Sequence, residues 1–135
     1  VHGGMNRSRP EDRADATALV RELRRQLDAL GGRTHRHYLL TVATPAGTWQ
    51  QGGAYSVGDS YDLAALAQAA DWLNVMTYDM NNIFSPVTGF NTPLGADPRD
   101  AAPAPQRSRD NLTSAVGYYE SQGVPASKIM LGMAF

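Results

Sequence analysis

The sequence contains no cysteine among its 135 residues. This absence excludes a disulfide framework, a thiolate metal site and a cysteine nucleophile. The chain also has little net charge, because 12 Lys and Arg stand against 13 Asp and Glu. A nearly neutral chain lacks the positive field that attracts nucleic acid, so we expect no nucleic-acid partner.

Long apolar runs are missing as well. No stretch approaches the ~18–20 apolar residues of a membrane-spanning helix, and the N-terminal VHGGMNRSRPEDR lacks the apolar core of a signal peptide. We therefore expect no membrane partner. The chain starts without Met and ends inside the apolar run KIMLGMAF. These ends predict that residues 1–135 are a fragment of one larger domain.

Three helix patterns are present. Apolar residues at three- and four-residue steps predict a helix over 10–30, a short Ala/Leu helix over 61–70, and a third helix that contains Leu112 and Tyr119. The first helix is expected to start at a capping box formed by Ser8 and Glu11 and to end at Gly31-Gly32. The second is expected to start at Ser60. The third is expected to start at Ser108 and to end at Gly123-Val124-Pro125.

Three short apolar runs alternate with these helices and predict strands at 38–44, 72–79 and 128–135. Alternation of buried strands with helices favours parallel pairing through right-handed crossovers. The fold class is therefore α/β, either a small sheet or part of a (β/α)₈ barrel, which takes ~250 residues. The segment 80–107 is too long for an ordinary connector and follows a strand, where such folds place their functional loops.

The second strand carries an unusual set of polar and polarisable side chains. Because side chains alternate along a strand, Asn74, Met76 and Tyr78 share one face. Asp79 follows at once, so the set is suited to the mouth of a barrel. A structural alternative stays open, in which Asn74 is a satisfied core amide, Tyr78 bonds to backbone through its hydroxyl, and Asp79 caps the next turn.

The segment WLNVMTYDMNN, with YDLAALAQAAD before it and SPVTGFNTPL after it, resembles the sixth strand and flanks of family-18 glycoside hydrolases, the chitinases. Their Met-x-Tyr-Asp motif is matched by Met76, Tyr78 and Asp79. RPEDRADATALVRELRRQLDAL resembles their helix after strand four, YLLTVATPAG their fifth strand, and GYYESQGVPASKIMLGMAF their next helix and seventh strand. The resemblance covers essentially the whole chain and implies strands five to seven of a (β/α)₈ barrel.

The resemblance also implies a mechanism on β-1,4-linked N-acetylglucosamine polymers. The substrate's own 2-acetamido oxygen attacks the anomeric carbon, while a glutamic acid protonates the departing oxygen, with retention of configuration. The catalytic residues would be Tyr78, donating its O–H to the acetamido group, and Asp79, adding a polar contact. Met76 and Asn74 would bind substrate, with Met76 lining the floor. No cofactor is implied.

The general acid is expected outside this sequence. In the family it ends the fourth strand, and VHGG at the N-terminus resembles the segment just after that strand, so the acid would lie a few residues before Val1. Glu11, Glu22 and Glu120 are predicted on helices, away from strand ends. Ala134 departs from the family's Gly-x-Pro-Phe-Tyr pattern, which leaves the contribution of the seventh strand open.

Several other residues have side chains of a type that binds sugars or metals. Trp49, Phe84 and Phe90 lie on predicted loops and are suited to stacking on sugars. His35 and His37 have the spacing of a metal pair, but without a third ligand nearby the pattern favours a solvated turn, so we expect no metal. Asn111-Leu112-Thr113 matches a glycosylation acceptor, yet its predicted mid-helix position marks a chance match.

Two alternatives remain to the interpretation as part of a secreted, monomeric chitinase. The first is a chitinase-like lectin, which keeps the barrel, binds chitin-type sugars and lacks the acidic glutamate. The second is a free-standing small α/β binding protein, which would fold from residues 1–135 alone.

Overall fold

The computed structural model describes residues 7–46 and 56–134. Its helices are α1 (Asp12–Thr34), α2 (Val57–Ser60), α3 (Leu63–Ala69), α4 (Ala104–Arg109) and α5 (Leu112–Ser121). Its strands are β1 (Thr41–Pro45), β2 (Trp72–Met76) and β3 (Ile129–Leu131), the last preceded by a 3₁₀ turn (Ala126–Lys128). Helices and strands alternate, so the α/β class is confirmed.

The three strands form one parallel sheet in the order β1-β2-β3. Asn74 of β2 lies level with Ala43 of β1 and with Met130 of β3. Chain neighbours are sheet neighbours, which is the arrangement of successive strands joined by right-handed crossovers. The predicted pairing of the three strands is therefore confirmed.

The two faces of β2 differ sharply. Leu73, Val75 and the following Thr77 are fully buried, with exposed fractions of 0%, 1% and 0%. Leu73 and Val75 pack in a core with Leu66 of α3 and Tyr119 of α5. The opposite face is open among the described residues. The predicted alternation along this strand is confirmed, because one face is covered by helices and the other is not.

Helix α1 starts and ends later than predicted. No side-chain hydrogen bond caps its first turn from Glu11; Asp12 instead accepts one from the backbone N–H of Arg9, at 2.9 Å. The helix continues through Gly31 and closes at His35, whose φ of 56° is left-handed. A Cβ on Gly31 would lie 2.4 Å from the carbonyl oxygen of Arg36. Glycine is therefore needed here to leave room for the chain that follows the helix, and it does not form the cap.

Two further helix starts differ from expectation. Asp62, not Ser60, caps α3, since its side chain accepts a hydrogen bond from the N–H of Ala65 at 3.0 Å. Asn111, not Ser108, caps α5, accepting from the N–H of Ser114 at 2.9 Å. Both are residue types whose short side-chain oxygen suits a cap. Asn111 is therefore at a helix start rather than mid-helix, and it is buried, with 2% exposed.

Strand β2 ends earlier than the predicted 72–79, at Met76. The N–H of Thr77 turns back to the carbonyl of Val75, at 2.9 Å, instead of continuing the ladder. The hydroxyl of Thr77 then donates to the carbonyl of Gly132, at 2.6 Å. The chain after β2 is thereby tied to the end of β3. Tyr78 and Asp79 consequently start the loop that follows the strand.

Candidate active site at the end of the second strand

The open face of β2 carries Asn74. Its side-chain oxygen accepts a hydrogen bond from the indole N–H of Trp72, two residues earlier, at 3.1 Å, and the residue is exposed. Within the described residues Asn74 is therefore a surface amide rather than a core amide. Met76, half-buried, lies level with Pro45 at the carboxyl ends of the two strands. The predicted substrate-binding pair thus occupies one face of the strand.

Tyr78 lies just beyond the strand end with 36% of its surface exposed. Its ring packs on Gly132, since a Cβ built there would lie 2.7 Å from Cε1 of the ring. Among the described residues its hydroxyl has no hydrogen-bond partner. Within the described residues, this hydroxyl therefore makes no bond to backbone. The phenol is held by packing on one side and keeps its O–H available on the other.

Asp79 adopts a left-handed conformation, with φ of 60°. Aspartate tolerates this region better than most residues. Its carboxylate does not cap the next turn. It accepts a hydrogen bond from the side-chain N–H of Asn91 at 3.1 Å, while its backbone carbonyl accepts from the side chain of Asn82 at 3.1 Å. The carboxylate is exposed but held in place.

The long loop after β2 is ordered by buried polar groups. Asn81, with 8% exposed, donates to the carbonyl of Phe90 at 3.2 Å. Asp100, with 6% exposed, accepts from the N–H of Ala102 at 2.8 Å. A Cβ on Gly89 would lie 2.4 Å from the amide of Asn81, so the glycine admits this side chain. The loop extends to Pro103, where the predicted 80–107 segment gives way to α4.

Asn81, Asn91 and Gly132 were not identified from the sequence. Each contacts a residue that is distant in the sequence, and an isolated Asn or Gly gives no periodic pattern from which that contact could be predicted. The sequence does contain one hint, because asparagine recurs through the 80–107 segment where a connector of that length needs internal hydrogen bonds. That hint does not identify the partner of any one of them.

The remaining candidates lie elsewhere. Phe84 is 87% exposed and Phe90 44% exposed, both on the loop after β2. Trp49 lies outside the described residues. His37 contacts Asp71, with 2.5 Å between Nε2 and Oδ1, at the start of β2 and away from Tyr78. Residues 7–46 and 56–134 contain no cluster of three potential metal ligands.

The loop also borders a groove of about 550 Å³, lined by residues that include Phe90, Leu94 and Arg99. None of Asn74, Met76, Tyr78 and Asp79 lines it. Asn74 and Met76 instead lie on the open face of β2, and Tyr78 and Asp79 follow the end of that strand. No helix within the described ranges is long and apolar enough to cross a membrane.

The sequence matches the family described as "Glycosyl hydrolases family 18" over residues 3–135. The chain belongs to this family. It is 36% identical to Chitinase A1 of Niallia circulans over 138 residues, which cover 100% of the chain and 19% of that protein. The family-18 chain therefore spans less than a quarter of the length of this relative.

The fold agrees with this membership. The structure of chitinase ChiA74 from Bacillus thuringiensis superposes with a TM-score of 0.81 at 30% identity, covering 96% of the family-18 chain and 19% of that protein. Human YKL-39, described as a pseudo-chitinase with retained chitooligosaccharide binding properties, superposes with a TM-score of 0.76 at 26% identity, covering 92% and 32%. Solved neighbours thus include one protein named an enzyme and one described as a pseudo-enzyme.

Proposed function

We propose that residues 1–135 are strands five to seven of the (β/α)₈ barrel of a secreted, monomeric chitinase that cleaves β-1,4-linked N-acetylglucosamine polymers. One observation carries the proposal: a phenol with no partner among the described residues, Tyr78, and an adjacent anchored carboxylate, Asp79, stand at the carboxyl end of β2. This is the end of the strands where barrel enzymes place their catalytic residues. Membership of family 18 supports the choice of substrate.

The proposed reaction is a substrate-assisted displacement. The acetamido oxygen of the sugar forms a bond to its own anomeric carbon as the glycosidic C–O bond breaks, and a glutamic acid gives its proton to the departing oxygen. Water then opens the cyclic intermediate from the other side, so configuration is retained. Neither step needs a cofactor.

Tyr78 would donate its O–H to the acetamido group and hold it in line for attack. Its packing on Gly132 favours one ring position, which lowers the entropic cost of that alignment. Asp79 would add a polar contact to the sugar or its acetamido group. Met76 would form the floor beneath the sugar, and Asn74 would contact it deeper on the same face.

The general acid would come from the strand that precedes residue 1. All three glutamates of the chain are exposed and on or beside helices: Glu11 precedes α1, Glu22 pairs with Arg25 on α1, and Glu120 is near the end of α5. None stands at the end of a strand beside Tyr78. The coding sequence for the ~25 residues upstream, one strand and its crossover, should therefore contain the acid.

The test compares two substrates with the complete protein. A chitotetraose should be cleaved with retained anomeric configuration, followed by NMR. The matched tetramer of glucosamine, which lacks the acetyl groups, should not be cleaved, because the internal nucleophile is gone. Equal cleavage of both tetramers, or inversion of configuration, would contradict the mechanism.

A lectin is the second candidate, favoured by the likeness to human YKL-39. In that case the complete protein binds chitotetraose without cleaving it, and the upstream strand lacks the glutamate. A free-standing α/β binding protein would instead show a cooperative melt from residues 1–135 alone.

A further inference from the structure

Asn91 contacts Asp79 at two points, although it lies twelve residues later on the loop after β2. Its side-chain N–H donates to the Asp79 carboxylate at 3.1 Å. Its side-chain oxygen accepts from the Asp79 backbone N–H at 3.3 Å. One carboxamide thus holds both the main chain and the side chain of a single residue.

Two-point contact matters because of the conformation of Asp79. The residue is left-handed, with φ of 60°, and exposed, so neither backbone preference nor packing fixes its carboxylate. A single hydrogen bond would leave the side chain free to rotate. Anchoring the N–H and the carboxylate together restricts the backbone and the side-chain torsion at once.

Only a carboxamide satisfies this arrangement. It must donate to a carboxylate and accept from an N–H with the same planar group. An aspartate at position 91 would keep the accepting oxygen but would bring a second carboxylate to the first. A serine has one oxygen and would not span both atoms. The chemistry of the contact therefore selects a carboxamide side chain at this position.

Asn91 is itself held firmly. Its side-chain N–H also reaches the carbonyl of Asn81 at 3.2 Å, and the hydroxyl of Thr92 donates to its side-chain oxygen at 3.1 Å. Its backbone carbonyl accepts from the N–H of Met80 at 3.0 Å. Both lone pairs and both protons of the carboxamide are used. The side chain has no capacity left for a ligand, so it would act through Asp79.

We propose that Asn91 is a positioning residue that holds the carboxylate of Asp79 in its sugar-binding orientation. The inference rests on the proposed function, because it assigns Asp79 a contact with the N-acetylglucosamine unit. It extends the site to a loop residue that touches Asp79 and not the sugar.

The experiment is a double-mutant cycle in the complete protein, read by calorimetric binding of chitotetraose, by kcat and KM, and by a thermal melt. Asn91→Ala should weaken binding or lower kcat/KM about tenfold or more, the effect of one hydrogen bond to a charged group. In an Asp79→Ala background the same change should cost less than about twofold, since Asn91 acts through that carboxylate. Equal losses in the two backgrounds would overturn the proposal.

Two further variants separate positioning from loop stability. Asn82→Ala is the matched control, because the Asn82 side chain reaches the backbone carbonyl of Asp79 and the N–H of Phe84 but not the Asp79 carboxylate, and it should leave binding within about twofold. Asn91→Asp is isosteric and keeps the accepting oxygen, but its second oxygen would face the Asp79 carboxylate and the Asn81 carbonyl. It should lose binding at least as strongly as Asn91→Ala does, and the thermal melts show how much loop stability each variant loses. Normal binding by Asn91→Asp, or a loss in Asn82→Ala equal to that in Asn91→Ala, would overturn the proposal.

Failure of the proposed function has a different signature. Binding of chitotetraose without hydrolysis would overturn the enzyme assignment, and the cycle would still be read from the dissociation constants. Hydrolysis that is normal in Asn91→Ala would overturn the role of Asn91 and keep the enzyme. A complete parent protein that neither binds nor cleaves would overturn both.

Discussion

At the scale of single residues, the proposed site centres on one phenol, which packs on a glycine and whose hydroxyl has no partner among the described residues. Tyr78 rests on the bare Cα of Gly132, which is joined to the chain next to Tyr78 by the hydrogen bond from Thr77. The two contributions of Tyr78 can therefore be tested separately, because the ring makes the packing contact and the O–H would make the hydrogen bond to the substrate.

Removing only the hydroxyl tests the chemical part. Tyr78→Phe in the complete protein should lower kcat on chitotetraose by about 10²-fold, the lower range for one transition-state hydrogen bond. The melting temperature should stay within a degree or two, because the ring and its packing remain and no described partner is lost. A mutant with the parent's kcat would remove Tyr78 from the mechanism.

Filling the space beneath the ring tests the packing part. Gly132→Ala would place a Cβ 2.7 Å from Cε1 of Tyr78 and 3.1 Å from the carbonyl oxygen of Val75. The ring must move, so kcat/KM should fall even though every catalytic group is retained.

Gly117→Ala is the control for that change. It lies in α5 with nothing within 4 Å of its added Cβ. It should stabilise the helix by about 0.5–1 kcal/mol and leave activity unchanged. Comparable activity of the two alanine variants would show that the position of the Tyr78 ring is not set by Gly132.

At the scale of elements, hydrophobic periodicity was enough to predict the three strands, their parallel order and the buried face of β2. It failed at helix ends. The residue type of Gly31 predicts a helix cap, but Gly31 lies inside α1, where the lack of a Cβ leaves room for the carbonyl oxygen of Arg36. Ser60 and Ser108 have the residue type of a cap, but the side chains that accept hydrogen bonds from the first turns of α3 and α5 belong to Asp62 and Asn111.

The candidate site also has some features that the sequence predicts and others that it does not. Local alternation predicted that Asn74 and Met76 share the open face of β2, whereas the roles of Tyr78 and Asp79 stay predictions. The contact from Asn91 spans a loop with no repeating pattern, so its partner depends on how that loop folds. Through-space contacts of this kind have no signature in a single sequence.

The junction of α4 and α5 makes a pH-dependent contribution to stability. Burial raises the pKa of Asp110 to about 6, against an opposing effect of Arg109, and one carboxyl oxygen lacks a partner among the described residues. The usual value is 3.8. The folded form therefore holds a proton that the unfolded form releases, so the contribution of Asp110 to stability is greatest below about pH 4 and is lost as pH rises through about 6.

Asp110→Asn removes that titration. In the complete protein, the gain in melting temperature over the parent should be larger at pH 7.5 than at pH 4, because the parent's buried carboxylate is charged only at the higher pH. Thermal melts of both proteins across that range give the measurement. A difference between the two proteins that is constant with pH would contradict the assignment.

At the scale of the whole molecule, the described sheet has one covered face and one open face. Met130 is 45% exposed and Met133 57% exposed near the open face, and β1 and β3 are both edge strands within the described residues. Exposed apolar edges of this kind promote aggregation. Residues 1–135 expressed alone should therefore melt without a sharp cooperative transition, and a sharp monomeric transition would show an independent domain.

The central claim is that these residues supply the sugar-positioning part of a chitinase whose general acid lies outside them. Hydrolysis of a fluorogenic chitobioside by the complete protein and by residues 1–135 tests it most directly. The complete protein should turn over the substrate. The fragment should give no detectable turnover, because loss of proton donation alone costs a factor of about 10²–10⁴. Turnover by the fragment approaching that of the complete protein would place the acid within residues 1–135 and contradict the claim.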